Sequence, residues 1–413
     1  MWRLVRSIAL LVAAVSVCGC QSVSPAANVI NPGASGGGGS ALDIFYVTNR
    51  ASIAREDGTV SYNSGRSHAL AFGEVAVSGR DADAAFVAPP VEMGRFPATP
   101  YGLERVKGGI RRESGTVAAH ERSVADMQSE IQRRLAATSR KEIVVFVHGY
   151  NNSFDDAAKS AAQLCNDLGP QDFVCIALTW PAGGSKGILF GYNVDRESGE
   201  FAVIDIRKAI RVIAGTPGLK RLHFLAHSRG TDVLTSALQH LGIEAYVTQG
   251  SLSSRFKIAN VILAAPDIDI DVAVARLFGV PSDPDLSYGR APRRSVVFNP
   301  GQLHFTVYSS TGDRALSLSK FLFGSQLRLG LLDAHADPGE TKFMTNAAGV
   351  ADFISSQGGG GLIGHSYFLS DPAVRADLVA LIRDGKKAGD PGRSLVEVER
   401  PFWYLPDRPV TTQ

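Results

Sequence analysis

The residues Leu225-Ala226-His227-Ser228-Arg229-Gly230 join an apolar run directly to a helical pattern that starts near Thr231. A serine on so tight a strand-to-helix turn is lifted above the sheet edge, with the N-terminus of the new helix beneath it. Small residues are needed two before and two after it, because the chain nearly touches itself there. Gly230 meets that need, and Ala226 takes the place of the first glycine of G-x-S-x-G, adding only a methyl group. The chemistry open to such a Ser228 is nucleophilic attack on a carbonyl carbon. The plainer reading of Ser-Arg-Gly is a helix N-cap.

An attacking serine needs donors for the oxyanion it creates. One is the amide that follows it, on Arg229. The other is expected from the loop after an earlier strand, and the run Glu142–Val147 ends in His148-Gly149-Tyr150-Asn151-Asn152. We assign the second amide to Tyr150, with Gly149 as the neighbour that lets a carbonyl approach. His148 precedes the serine and leads this loop, so its role reads as structural.

The base is sought after Ser228, in the order serine, acid, histidine. His240 falls on the following helix, His304 at a strand start and His335 in a polar loop. His365 follows a final strand, Val350 to Ser355, and the glycines Gly358–Gly361 that allow it to be presented at the sheet edge, so it is the expected base. For the acid, Asp313 follows the second strand beyond the nucleophile. Asp267 and Asp269 follow the first and form the rival acid site; Asp267 is otherwise a supporting residue or the cap of a helix beginning near Asp271.

These residues require elements to hold them. Leu42 onward gives short runs, at Asp43–Val47 and Gly73–Ser78, that read as antiparallel strands, then a polar helix from His120 to Ala137. Near-continuous apolar runs follow at Glu142–Val147, Phe173–Leu178, Leu222–Ala226, Ile258–Ala264 and Phe305–Ser309, as strands buried on both faces require. Helical patterns separate them, at Asp155–Leu168, Ala202–Ile213, Thr231–Leu241 and Ala315–Leu329. The expectation is an α/β fold: a mostly parallel central sheet with helices on both faces and an N-terminal antiparallel extension.

The chain has 413 residues and carries 42 Lys and Arg against 40 Asp and Glu, with no basic run, so nothing argues for nucleic acid. No His/Cys/Asp set has metal-ligand spacing, and no dinucleotide or phosphate-binding glycine fingerprint occurs, so neither metal nor cofactor is expected. Arg3 and Arg6 precede an apolar stretch, Ile8–Val17, too short for a comfortable membrane span, which ends in Cys18-Gly19-Cys20. This resembles a bacterial lipoprotein leader, residues 1–19, and the resemblance implies an acylated Cys20. Gln21 in place of Asp implies the outer membrane, facing the periplasm. An ordinary signal peptide is the alternative. Residues 20–41, ending in Gly36–Ser40, read as a flexible tether with a reach of about 25 Å. The catalytic domain is expected over 42–384, with a C-terminal extension, 385–413, that packs on it or meets a partner. Cys165 and Cys175 flank a turn and form either a disulfide or two buried thiols.

The pieces FYVTNR (Phe45–Arg50), VFVHGYNNSF, TWP, DRES (Asp195–Ser198), LAHSRG, LAAPDID, STGDRAL and GHSYF occur in that order. Together they resemble a bacterial α/β-hydrolase family, the domain of unknown function numbered nine hundred. The resemblance implies Ser228, Asp313 and His365 as a catalytic triad, and draws attention to Asp195, Arg196 and Glu197, which either orient the active-site loop or merely begin a helix. Arg229 departs from the family, which often has a small or apolar residue there; a cation beside the nucleophile would favour an anionic substrate. The expected activity is that of a serine hydrolase on a small carboxylic ester. A peptidase or amidase with the same triad, or a lipoprotein using the fold as a binding or scaffold module, are the rivals. No protein partner can be named.

Overall fold

The computed structural model describes residues 41–56, 59–79, 82, 85–184, 188–283, 303–310, 312–313, 316–317, 328–332, 344–345, 347–356 and 365–406. The leader, Cys20 and all but the last residue of the tether lie outside them, as do His335, Gly358–Gly361 and residues 284–302.

The chain opens with a long antiparallel pair, β1 (Leu42–Ala54) and β2 (Val60–Ser78), with short strands β3 (Phe86–Val87) and β4 (Val91–Arg95) beside β2. A separate hairpin, β5 (Leu103–Val106) and β6 (Gly109–Arg112), leads into helix α1 (Ser114–Ala137). Alternation then sets in: β7 (Glu142–Val147), α2 (Phe154–Leu168), β8 (Phe173–Thr179), α3 (Ile188–Ala214), β9 (Arg221–His227), α4 (Gly230–Val247), the short α5 (Leu252–Phe256), β10 (Ile258–Ala264) and α6 (Ile270–Val274). After it come β11 (His304–Ser310), β12 (Ala351–Ser356), α7 (Tyr367–Ser370), α8 (Pro372–Ile382), β13 (Val396–Glu399) and β14 (Phe402–Leu405).

Among the described residues the main sheet runs β13-β14-β12-β11-β10-β9-β7-β8-β1-β2-β3, with β4 also on β2. From β1 to β14 along that order all neighbours are parallel, and only the two ends turn antiparallel. The mostly parallel sheet and its N-terminal antiparallel part are as expected from the sequence; the antiparallel β13–β14 pair at the other edge is an addition from the C-terminal stretch.

The interior of β7 shows why its residues are apolar without interruption. Ile143, Val145 and Val147 face one core, with α1, α3 and α4, while Val144 and Phe146 face the other, with α2, α7 and α8. A strand alternates sides with period two, so a strand covered on both faces cannot spare a polar position. Helix α1 is polar on average but buries Ser123, Met127, Ile131 and Leu135, a single stripe at four-residue spacing. Helix α2 begins at a capping box between Ser153 and Asp156, which fixes where the loop after β7 ends.

Cys165 and Cys175 are bonded, tying the last turn of α2 to the middle of β8 with their Cα atoms 5.9 Å apart. The C-terminal stretch packs on the domain: β14 pairs with β12, and Arg393 is buried in a two-pronged pair with Asp377 of α8. Helix α3 starts well before the expected Ala202, because Tyr192, Asp195 and Ser198 turn inward on one face of its first turns. Most of the helix expected over Ala315–Leu329 falls outside the described residues, and Leu329–Leu331 form a 3₁₀ turn.

Candidate active site

Ser228 sits between the last residue of β9 and the first turn of α4 with φ at +52°, a left-handed conformation that costs any residue with a Cβ. The surroundings enforce it. Its N–H donates to Ala264 O at 3.0 Å, and its carbonyl accepts from the amides of Thr231 (3.1 Å) and Asp267 (3.2 Å) and the Thr231 hydroxyl (2.6 Å). Gly230 has no room for a side chain, since a Cβ there would lie 2.2 Å from His148 O. A Cβ on Gly149 would lie 2.7 Å from the Cβ of Ser228 itself. The two glycines are where the ends of β7 and β9 touch.

His365 reaches this turn from the loop before α7. Its Nε2 lies 2.7 Å from Ser228 Oγ, and its Nδ1 lies 2.7 Å from Asp313 Oδ2. A carboxylate can only accept, so Nδ1 carries the proton and Nε2 is left to accept the serine's. Asp313 is fully buried after β11, and its other oxygen accepts from the amide of Leu316 at 3.0 Å. The rival Asp267 lies elsewhere: Oδ2 accepts from the Tyr192 hydroxyl at 2.9 Å, and Arg328 approaches Oδ1 at 3.6 Å. Nor does Asp267 cap a helix, a task that falls to Asp269, whose side chain accepts from the amides of Asp271 and Val272.

The loop after β7 is held from three sides. The His148 ring is fully buried; burial and the nearby Arg50 pull its pKa down to about 3, so it is neutral. Its Nδ1–H donates to Gly149 O (3.0 Å), while Nε2 accepts from the Trp180 amide (3.0 Å) and the Arg50 guanidinium (3.2 Å). Trp180 stacks on the ring and returns its indole N–H to His148 O at 2.8 Å. Gly149 donates its own N–H to Asn152 Oδ1 (3.1 Å).

Asp195 links α3 to the loop after β7. Buried on α3, it accepts from the amides of Asn151 (2.8 Å) and Gly183 (3.0 Å). Burial pushes its carboxyl up, against the pull of those two bonds. Arg196, the next residue on α3 and turned about 100° from Asp195, is exposed.

Arg229 does not offer its charge to a substrate as its position beside Ser228 suggested. Its guanidinium pairs with Asp232 at 2.6 Å and lies over the ring of Tyr192. Asp232 also binds Arg276, so its one carboxylate is shared between two guanidinium groups.

Three residues were given no role by the sequence reading, although two of them lie in quoted motifs. Arg50, in the quoted FYVTNR, is a buried cation that donates to Asn152 O (2.7 Å) and Ala182 O (3.0 Å), and burial lowers its pKa to about 10. Tyr192 joins Asp267 to Arg229. His227 donates from Nε2 to the His365 carbonyl at 3.1 Å and packs on Phe368. Adjacency to Ser228 was the available signal for His227; for Arg50 and Tyr192, only burial reveals the role.

A parallel sheet with a strained serine between strand and helix, met by a histidine and an aspartate from later loops, defines the α/β-hydrolase class. The chain belongs to the family of alpha/beta hydrolases of unknown function (DUF900), whose profile matches residues 123–384. No curated protein matches. Among solved structures it is similar to a predicted CIB-like hydrolase from Thermoplasma acidophilum, at 13% identity over 60% of this chain and 86% of that one, with a TM-score of 0.31. A Pyrobaculum calidifontis esterase is similar at 9% identity over 63% of this chain and 93% of that one, with a TM-score of 0.28. Likenesses this loose carry no argument about substrate.

Proposed function

We propose that the protein is a serine hydrolase that acts on a small carboxylic ester by acyl transfer. The observation that carries this reading is the unbroken chain Ser228 Oγ, His365, Asp313, with 2.7 Å at each link. Ser228 Oγ attacks the ester carbonyl as His365 Nε2 takes its proton, and Asp313 holds the imidazole tautomer and offsets the imidazolium charge. The amides of Tyr150 and Arg229 receive the oxyanion. Collapse of the tetrahedral species breaks the C–O bond, and the alcohol leaves with the proton from His365. Water, deprotonated by His365, then releases the acid and restores Ser228.

Labelling with a fluorophosphonate probe tests the activated serine. Label is expected on the wild-type chain and is lost in Ser228→Ala and His365→Ala. No label on a folded wild-type chain would move the scaffold reading to first place. A panel of p-nitrophenyl esters against peptide anilides separates esterase from peptidase.

The Cys165–Cys175 bond supports an oxidising compartment, in keeping with an exported, Cys20-anchored envelope protein. Radiolabelled palmitate incorporated into the wild type but not into Cys20→Ser checks the anchor.

A further inference from the structure

At the opposite end of the sheet from Ser228 lies a groove of about 540 Å³, formed where β9, β10 and β11 begin and β14 crosses beside β12. Strand β9 runs seven residues from Arg221 in the groove to His227 beside the nucleophile, so the two are separated by about 20 Å of strand. Six cations line it: Lys220, Arg221, Lys257, Lys386, Lys387 and Arg400. Arg221 is paired with Glu142 and Arg400 with Glu397. Among the described residues none of the four lysines is in an ion pair; Lys257 donates to a backbone carbonyl, that of Thr216. The one carboxylate in the lining, Asp352, spends its oxygens on His304 Nε2 (2.7 Å) and the Trp403 indole N–H (2.9 Å).

We propose that this groove binds a phosphate-bearing polyanion. Like charges gathered in a concavity focus a positive potential that a flat surface would disperse. Lysines that line one groove and, among the described residues, are in no ion pair repel one another, and a ligand with several negative charges relieves that repulsion. The volume lies within the range of small-molecule sites, about 300–1,000 Å³, which suits a polyphosphate or a phosphorylated headgroup rather than an extended polymer. The site is independent of the acyl-transfer chemistry.

The full chain carrying Cys20→Ser, which removes the proposed anchor, allows two probes. One is sodium tripolyphosphate titrated by calorimetry at low salt. The other is co-sedimentation with phosphatidylglycerol vesicles. Saturable binding is expected in at least one arm, weakened tenfold or more in Lys386→Gln/Lys387→Gln and again in Lys220→Gln/Lys257→Gln. The control Lys107→Gln, on the β5–β6 hairpin, should leave it unchanged. Lysine-dependent binding to tripolyphosphate assigns a soluble ligand, and lysine-dependent binding to vesicles alone assigns a lipid headgroup. Absence of binding in both arms, or equal weakening by Lys107→Gln, would overturn the proposal.

Discussion

The imidazole of His227 donates from Nε2 to the backbone carbonyl of His365 at 3.1 Å, and the two rings lie with centroids 4.9 Å apart. The residue before the nucleophile thus holds the loop that carries the base. Removing the donor while keeping a ring, in His227→Phe, should lower kcat about tenfold, the worth of one hydrogen bond of about 1.4 kcal/mol. His227→Gln, which can donate, should recover part of the loss. Equal kcat in wild type and His227→Phe would show that the contact positions nothing.

Gly149 and Gly230 should respond differently to alanine. A Cβ at Gly230 meets backbone, His148 O at 2.2 Å, which can yield only by parting β7 from α4. Gly230→Ala is therefore expected to cost roughly 3 kcal/mol or more, seen as a fall in thermal midpoint of several degrees. The Gly149 clash is with Ser228 Cβ at 2.7 Å, so Gly149→Ala should lose activity out of proportion to stability.

Asp195→Asn tests the tie between α3 and the loop after β7. The carboxylate accepts one amide on each oxygen, Asn151 N–H on Oδ2 and Gly183 N–H on Oδ1. An asparagine has one acceptor and turns donors toward the second amide. The expected cost is about 1–3 kcal/mol in urea unfolding, with a lower kcat. A variant matching wild type in both would remove Asp195 from the site.

Stability should fall in mild acid. His148, with its pKa near 3, and His227, lowered well below 6.5 by burial, are both neutral when folded. Their unfolded counterparts take up a proton below about pH 6.5, so there the unfolded state binds more protons and folding weakens as pH drops. His148 alone contributes a loss of about 1.4 kcal/mol per pH unit between roughly 6.5 and 3. Urea titrations at pH 7.5, 6 and 5 check it, and His148→Gln should flatten the slope if it folds.

What the sequence determined by itself were features written in consecutive residues. The strands β7 to β11 were legible because a strand buried on both faces admits almost nothing but apolar residues, and the turn at Ser228 because Gly230 must sit two places after it. Asp313 was chosen by strand order and His365 by the glycine-rich loop before it, with the family resemblance implying both, and the structure brings them within hydrogen-bond reach of one another and of Ser228. Only the tertiary structure decided which polar groups are sealed in with them. Arg50 stands 98 positions before His148, and Asp195 lies 44 after Asn151. The same holds for charge: Arg229 beside Ser228 reads as a cation offered to a substrate until Asp232 and Tyr192 are seen to hold it. An arginine's chemistry is set by what shields and pairs it, and those partners converge only when the sheet has closed around them.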